Sequence, residues 1–286
     1  MIIWLASYPK SGNTWLRAFI TSLLSENKSE NSLQNMTGIR AYPLTDDFKN
    51  LLDDFNDFKK IAKNWETTQN IINLEKKIKF FKTHHILCDV NNFPFTSYKN
   101  SLGTIYVVRD PRNVITSLMH HYSLENYDKA LEFLFDEHRF SGKLDRKENF
   151  DRRTEFPTYI SSWKNHYNAW KNFKKNFFLV RYEDLINKPD KTFKNISNYI
   201  SKILNIKITD EKIRDSVKKS SFDNLKKAEE KFGFSEAPID ANTQKQKKFF
   251  NLGAQNNWKK LLPDEIKKKI EKEFNKEMIE LGYLNS

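Results

Sequence analysis

Apolar residues gather in this chain into four short runs, Ile2 to Ser7, Ile78 to Thr83, Thr104 to Arg109 and Phe177 to Tyr182, each ending in polar or charged positions. Runs of this length bounded by polar residues read as buried strands. After the first run the period changes. Leu16, Phe19, Ile20, Leu23 and Leu24 recur at i, i+3, i+4, i+7 and i+8, which is one face of a helix. After the third run, Asp110 stands where a helix is capped and Pro111 where its first turn begins, ahead of an apolar face of Val114, Ile115, Leu118, Met119 and Tyr122. Phe193, Ile196, Ile200, Ile203 and Leu204 predict a further helix. Pro263 opens a C-terminal one that carries Ile266, Ile270, Phe274 and Met278 and stops at Gly282. Strands alternating with helices predict an α/β fold with a mainly parallel sheet. Ala237 to Asn257 is polar and weakly periodic, which predicts a long loop.

Composition changes this picture little. At 286 residues with no linker-like stretch, one domain spanning 1–286 is expected. Hydrophobic residues at 38 % and aromatics at 14 % suffice for a sizeable core. The formal net charge of +12 would attract polyanions. Many lysines, however, lie on polar helix faces, as at Lys267, Lys268, Lys269 and Lys272, and no basic block is interleaved with stacking aromatics, so no specific nucleic-acid partner is expected. The single cysteine, Cys88, allows no intramolecular disulfide, and the start MIIWLASYPK lacks the parts of a signal peptide; a cytoplasmic protein is expected. No window approaches the roughly 18 consecutive apolar residues of a membrane span. Nothing in the pattern fixes an oligomeric state.

The candidate chemistry begins where the first strand ends, in Ser7-Tyr8-Pro9-Lys10-Ser11-Gly12-Asn13-Thr14-Trp15. Laid on the nucleotide-binding pattern G-x-x-x-x-G-K-[ST], the segment puts Asn13 where the lysine belongs and carries Lys10 inside the loop. Gly12 permits close backbone approach, and the amides of Gly12 to Thr14 at a helix start offer donors and a positive dipole end to an anion. A nucleoside triphosphatase needs that lysine on the β/γ-phosphates and a strand-end aspartate for magnesium. Neither is evident here.

The block Tyr8 to Trp15 closely resembles the 5′-phosphosulfate loop of the soluble sulfotransferases that use 3′-phosphoadenosine 5′-phosphosulfate (PAPS), with Asn13 where threonine is usual. The resemblance implies a P-loop-containing three-layer α/β/α fold and a donor site formed by Lys10, Ser11, Gly12, Asn13, Thr14 and Trp15. Val107 to Ser117 resembles that family's 3′-phosphate segment, which implies Arg109 and Ser117 as ligands. A guanidinium fork and a hydroxyl suit phosphate oxygens, although Arg109 could instead pair with Asp110 or Glu183. Lys82-Thr83-His84 is similar to the family's Lys-Thr-His segment, implying His84 as general base and Lys82 at the sulfonyl oxygens; His85 is the rival base. Arg181 to Leu185 and Ser220-Ser221-Phe222 resemble the adenine-side segments, implying Tyr182, Ser220 and Phe222 beside Trp15. Phe249 to Trp258 follows the family's Arg-Lys-Gly-x-x-Gly-Asp-Trp only at Gly253 and Trp258. Asn251 and Leu252 replace its two cations, leaving Lys247 or Lys248 as possible substitutes.

The implied reaction is in-line attack of an acceptor hydroxyl or amine on sulfur, with 3′-phosphoadenosine 5′-phosphate (PAP) leaving and Lys10 neutralising its bridging oxygen. A small-molecule acceptor is expected to meet Met36 to Phe48, Ile86 to Tyr98 and Tyr122 to Phe156, segments rich in aromatic residues. No metal is expected, since neither His84-His85 nor His120-His121 belongs to a metal-ligand motif. The competing readings are a P-loop kinase of a small metabolite, and a nucleotide- or polyanion-binding protein without turnover.

Overall fold

The computed structural model describes residues 1–26, 33, 36, 38–141, 156–240, 243 and 245–285. Residue 37, residues 142–155 of the expected acceptor segments, and residues 241, 242 and 244 of the expected loop lie outside them. The four apolar runs are the four strands of one sheet: β1 (Ile2–Ser7), β2 (Lys79–Thr83), β3 (Ser101–Val108) and β4 (Phe177–Arg181). They lie in the order β2-β1-β3-β4, in a mainly parallel sheet with flanking helices. β1 and β2 are parallel, from Ile2 opposite Lys79 to Ala6 opposite Thr83.

Several predicted boundaries move by a few residues. Ile78 is left exposed before β2, β3 begins at Ser101 and ends before Arg109, and Tyr182 opens a helix instead of closing β4. The predicted single C-terminal helix is two, Asp264–Glu273 and Asn275–Glu280, parted at Phe274. Phe274 and Met278 are both fully buried, so the apolar phase runs through the break and does not register it. The predicted loop holds an isolated bridge between Ile239 and Gln246 and a single turn at Gly253–Gln255.

The chain forms two compact units interleaved along the sequence. The first comprises Met1–Tyr8, Ile39–Tyr106 and Asp136–Leu179, the second Pro9–Gly38, Val107–Phe135 and Val180–Ser286. In the first, Trp4 of β1 is fully buried, with ring centroids of Tyr42 and Phe95 both at 5.4 Å, and its indole N–H donates to Ser101 Oγ at 2.6 Å. In the second, α1 (Asn13–Leu24) buries Leu16, Phe19, Ile20 and Leu23, the face that the periodicity predicts, and Phe19 packs on Phe193 at 4.4 Å. There too, α2 (Pro111–Tyr122) starts as expected: Asp110 caps it by accepting from the Arg112 amide, and Pro111 fills its first turn.

Candidate active site

The loop between β1 and α1 is shaped by two left-handed residues, Lys10 (φ 64°) and Gly12 (φ 104°). A side chain at Gly12 would be strained by that angle and would also overlap the Tyr182 ring, so glycine is required twice over. Gly12 caps α1 without any side-chain hydrogen bond, so the cap residue itself supplies no acceptor to the first turn. The Ser11 hydroxyl is buried and makes no hydrogen bond. A buried orphan hydroxyl at a helix N-terminus fits an anion that supplies the missing acceptors. Asn13 and Thr14 are buried in the first turn behind it.

The Lys10 ammonium lies 3.2 Å from His121 Nδ1 and 4.2 Å above the Phe249 ring. A neutral imidazole accepting from an ammonium and a ring face under the same charge both favour this placement. In the sequence, His121 stands out only as half of a histidine pair, and Phe249 not at all.

Arg109, just past the end of β3, donates from Nη1 to the Lys10 carbonyl at 3.0 Å and to Ser117 Oγ at 3.1 Å. Its guanidinium stacks 4.2 Å over the Tyr182 ring. The carboxylates that could have claimed it are engaged elsewhere. Asp110 takes Nη2 of Arg112 at 2.7 Å; Glu183 accepts from the Asp110 amide at 3.0 Å and the Tyr283 hydroxyl at 2.8 Å, with burial raising its pKa. These contacts bring Lys10, Gly12, Arg109, Ser117 and Tyr182 together. Trp15 joins them edge-on to Tyr182 at 5.8 Å.

Phe222 and Gly253 also meet. Gly253 is left-handed at φ +54°, and any side chain there would run into the Phe222 ring. The Ser220 hydroxyl instead donates to the Ser216 carbonyl at 2.8 Å, closing the helix Asp210–Lys219. Lys247 pairs with Asp240 and Lys248 with Glu230, so the two substitute cations are each held by a carboxylate. No sequence signal singles out Asn256, whose Nδ2 donates to Ser117 Oγ at 2.9 Å.

In the first unit, His84 follows β2. Its Nδ1 lies 2.7 Å from the Ser7 carbonyl, which can only accept, so Nδ1 carries a hydrogen and Nε2 is the ring's basic nitrogen whenever the ring is neutral. The His84 carbonyl is in turn bonded at 3.1 Å by Nε2 of His166, a buried residue whose Nδ1 accepts from the Tyr106 hydroxyl at 2.8 Å. Burial pushes the His166 pKa down to about 3. The rival His85 is fully buried, stacked on Phe95 at 4.3 Å, bonded through Nδ1 to the Ile86 carbonyl, and lowered to about 3 by desolvation. His85 is thus a packing residue and His84 the half-buried one. Lys82 is half-buried between the buried Phe81 and Thr83, with its backbone paired to Arg40 and Tyr42.

The sulfotransferase-domain family model matches residues 2–282. The chain belongs to the sulfotransferase family. This sulfotransferase is 24 % identical over 278 residues to the flavonol 3-sulfotransferase of Flaveria bidentis, covering 94 % of this chain and 79 % of that protein. It is 22 % identical over 278 residues to sulfotransferase 1B1 of Canis lupus familiaris, covering 96 % and 82 %. Its fold is similar to that of a mouse sulfotransferase crystallised with PAP, with a TM-score of 0.58 at 21 % identity, covering 96 % of this chain and 83 % of that one. Among the described residues, no group of three or more His, Cys, Asp or Glu could hold a metal ion, and no helix is long and apolar enough to cross a membrane.

Proposed function

We propose that this sulfotransferase takes its sulfonyl group from PAPS and passes it to the hydroxyl or amine of a small-molecule acceptor. The observation that carries this reading is the anion loop itself: an uncapped helix start, an orphan Ser11 hydroxyl, and a lysine at position 10 instead of 13. The loop amides of residues 12–14, Ser11 and Lys10 would hold the 5′-phosphosulfate. Arg109 and Ser117 would hold the 3′-phosphate, and Trp15, Tyr182 and Phe222 with Gly253 would border the adenine. That the mouse relative was crystallised with PAP supports the donor.

In the reaction, the acceptor oxygen or nitrogen forms a bond to sulfur as the bond from sulfur to the bridging phosphate oxygen breaks. His84 Nε2 takes the acceptor's proton, its other nitrogen being fixed as donor to Ser7. Lys10 neutralises charge growing on the leaving PAP, and Lys82 steadies the sulfonyl oxygens. Ser7 both orients the base and ends the strand that delivers Lys10 three residues later. We read residues 1–286 as one catalytic domain working in the cytoplasm. The single cysteine and a curated relative named cytosolic sulfotransferase 13 support that compartment.

The test is incubation with isotopically labelled PAPS and an acceptor library, read by mass spectrometry. Lys10→Ala and His84→Ala are each expected to lower the rate by about a hundredfold or more, and a chelator is expected to leave it unchanged. Product formed at the wild-type rate by both variants would overturn the assigned roles. Loss of activity on chelation, with ATP as donor, would establish the kinase reading instead.

A further inference from the structure

In the register set by Gly253 and Trp258, the second glycine of the family pattern falls on Asn256, and the two cations fall on Asn251 and Leu252. Asn251 and Leu252 are exposed, whereas Asn256 is buried. Its amide is gripped by α2 on three sides: Nδ2 donates to the Asn113 carbonyl at 3.0 Å and to Ser117 Oγ at 2.9 Å, and Oδ1 accepts from Thr116 Oγ1 at 2.6 Å. The Asn113 side chain holds the same segment by accepting from the Trp258 amide at 2.9 Å. The Asn113 carbonyl also fixes which way the amide points, because turning it over would set two oxygens against each other.

The consequence falls on Ser117. A hydroxyl has two lone pairs and one hydrogen. Arg109 Nη1 and Asn256 Nδ2 occupy both lone pairs, and the hydrogen is given to no group among the described residues. Ser117 is thereby left with only a donor to offer, beside the guanidinium of Arg109. A phosphate oxygen, which only accepts, is the partner such an arrangement is built for.

We infer that Asn256 is a positioning residue that makes Ser117 an obligate donor to the donor nucleotide's 3′-phosphate, and so carries part of the preference for a 3′-phosphorylated nucleotide. This rests on the donor reading above. It also explains how a chain lacking the two loop cations retains a polar 3′ site: the segment contributes through an amide clamped to α2.

The experiment is calorimetric titration of the full chain with PAP and with adenosine 5′-monophosphate, which lacks only the 3′-phosphate. Asn256→Gly restores the residue of the family pattern. Asn256→Asp keeps the shape but turns the Ser117-facing atom into an acceptor. The wild type is expected to prefer PAP. Asn256→Gly should weaken PAP about tenfold while holding the monophosphate within about twofold. Asn256→Asp should weaken PAP further, since a carboxylate captures the Ser117 hydrogen and repels the phosphate. Ser117→Ala should match Asn256→Gly, and the double variant should be no weaker than Ser117→Ala alone.

Equal weakening of both nucleotides by Asn256→Gly, no weakening of either, or full additivity with Ser117→Ala would each overturn the inference. A wild type that binds both nucleotides equally overturns the inference and leaves the 5′ site standing. One that binds neither overturns the donor reading and the inference with it.

Discussion

At Gly12 two demands coincide: a backbone angle that side chains rarely adopt, and a tyrosine ring resting where a Cβ would be. Gly12→Ala is therefore expected to destabilise the fold by about 2 kcal/mol or more, read as a lowered denaturation midpoint. Made in a Tyr182→Ala background, Gly12→Ala should cost less but still destabilise, because that background relieves the overlap and not the angle; no cost there would mean that φ contributes nothing. The same scale shows what a motif conveys and what it leaves out. The Lys-Thr-His segment points to His84, but only the Ser7 carbonyl beside Nδ1 shows which nitrogen carries a hydrogen. His166 was invisible in the sequence because its claim on the site is a bond to a main-chain carbonyl 82 positions away, which no local pattern encodes.

Among the elements, α2 carries Ser117, the partner of Arg109, and its first turn depends on Asp110. That carboxylate caps the helix and is bound by Arg112 through both Nε and Nη2, with each side chain only 5 % exposed. Asp110→Ala should cost about 2–4 kcal/mol in chemical denaturation, since it removes a cap and one of the two carboxylates on a buried guanidinium, which keeps Glu271 at 2.6 Å. A loss below about 1 kcal/mol would show that the pair is effectively solvated. The start of α2 was legible because Asp-Pro is a local signal, and the four strands were legible because each is a short apolar run between polar ends. The break at Phe274 was not, because burial on both sides of it preserves the helical phase. Nor was the clamp at Asn256, whose partners Asn113, Thr116 and Ser117 are more than 130 positions away in sequence.

For the molecule as a whole, the two buried neutral histidines make stability sensitive to acid. His85 and His166 are pushed to about 3 in the fold, while an unfolded histidine titrates near 6.5. Between those values the unfolded chain binds more protons, so stability rises with pH there and falls on acidification, by up to about 1.4 kcal/mol per pH unit for each residue. Urea denaturation from pH 7 to pH 5 should show that decline, and His85→Phe, which keeps a ring against Phe95, should make it shallower. An unchanged slope in the variant would rule out His85 as a source. The net charge of +12, by contrast, gave no hint of where the site lies, because many of its lysines are spent in surface pairs such as those with Glu75, Asp215 and Glu230.

The anion loop is made well before the residues that hold it in shape. Arg109, His121, Tyr182 and Phe249, which pin the backbone and side chain of residues 10–12, all follow it by about a hundred positions or more. During synthesis, then, the loop waits without its full set of supports until Phe249 has emerged. Truncation before Phe249 would take a support from the loop while leaving every residue of the loop itself in place.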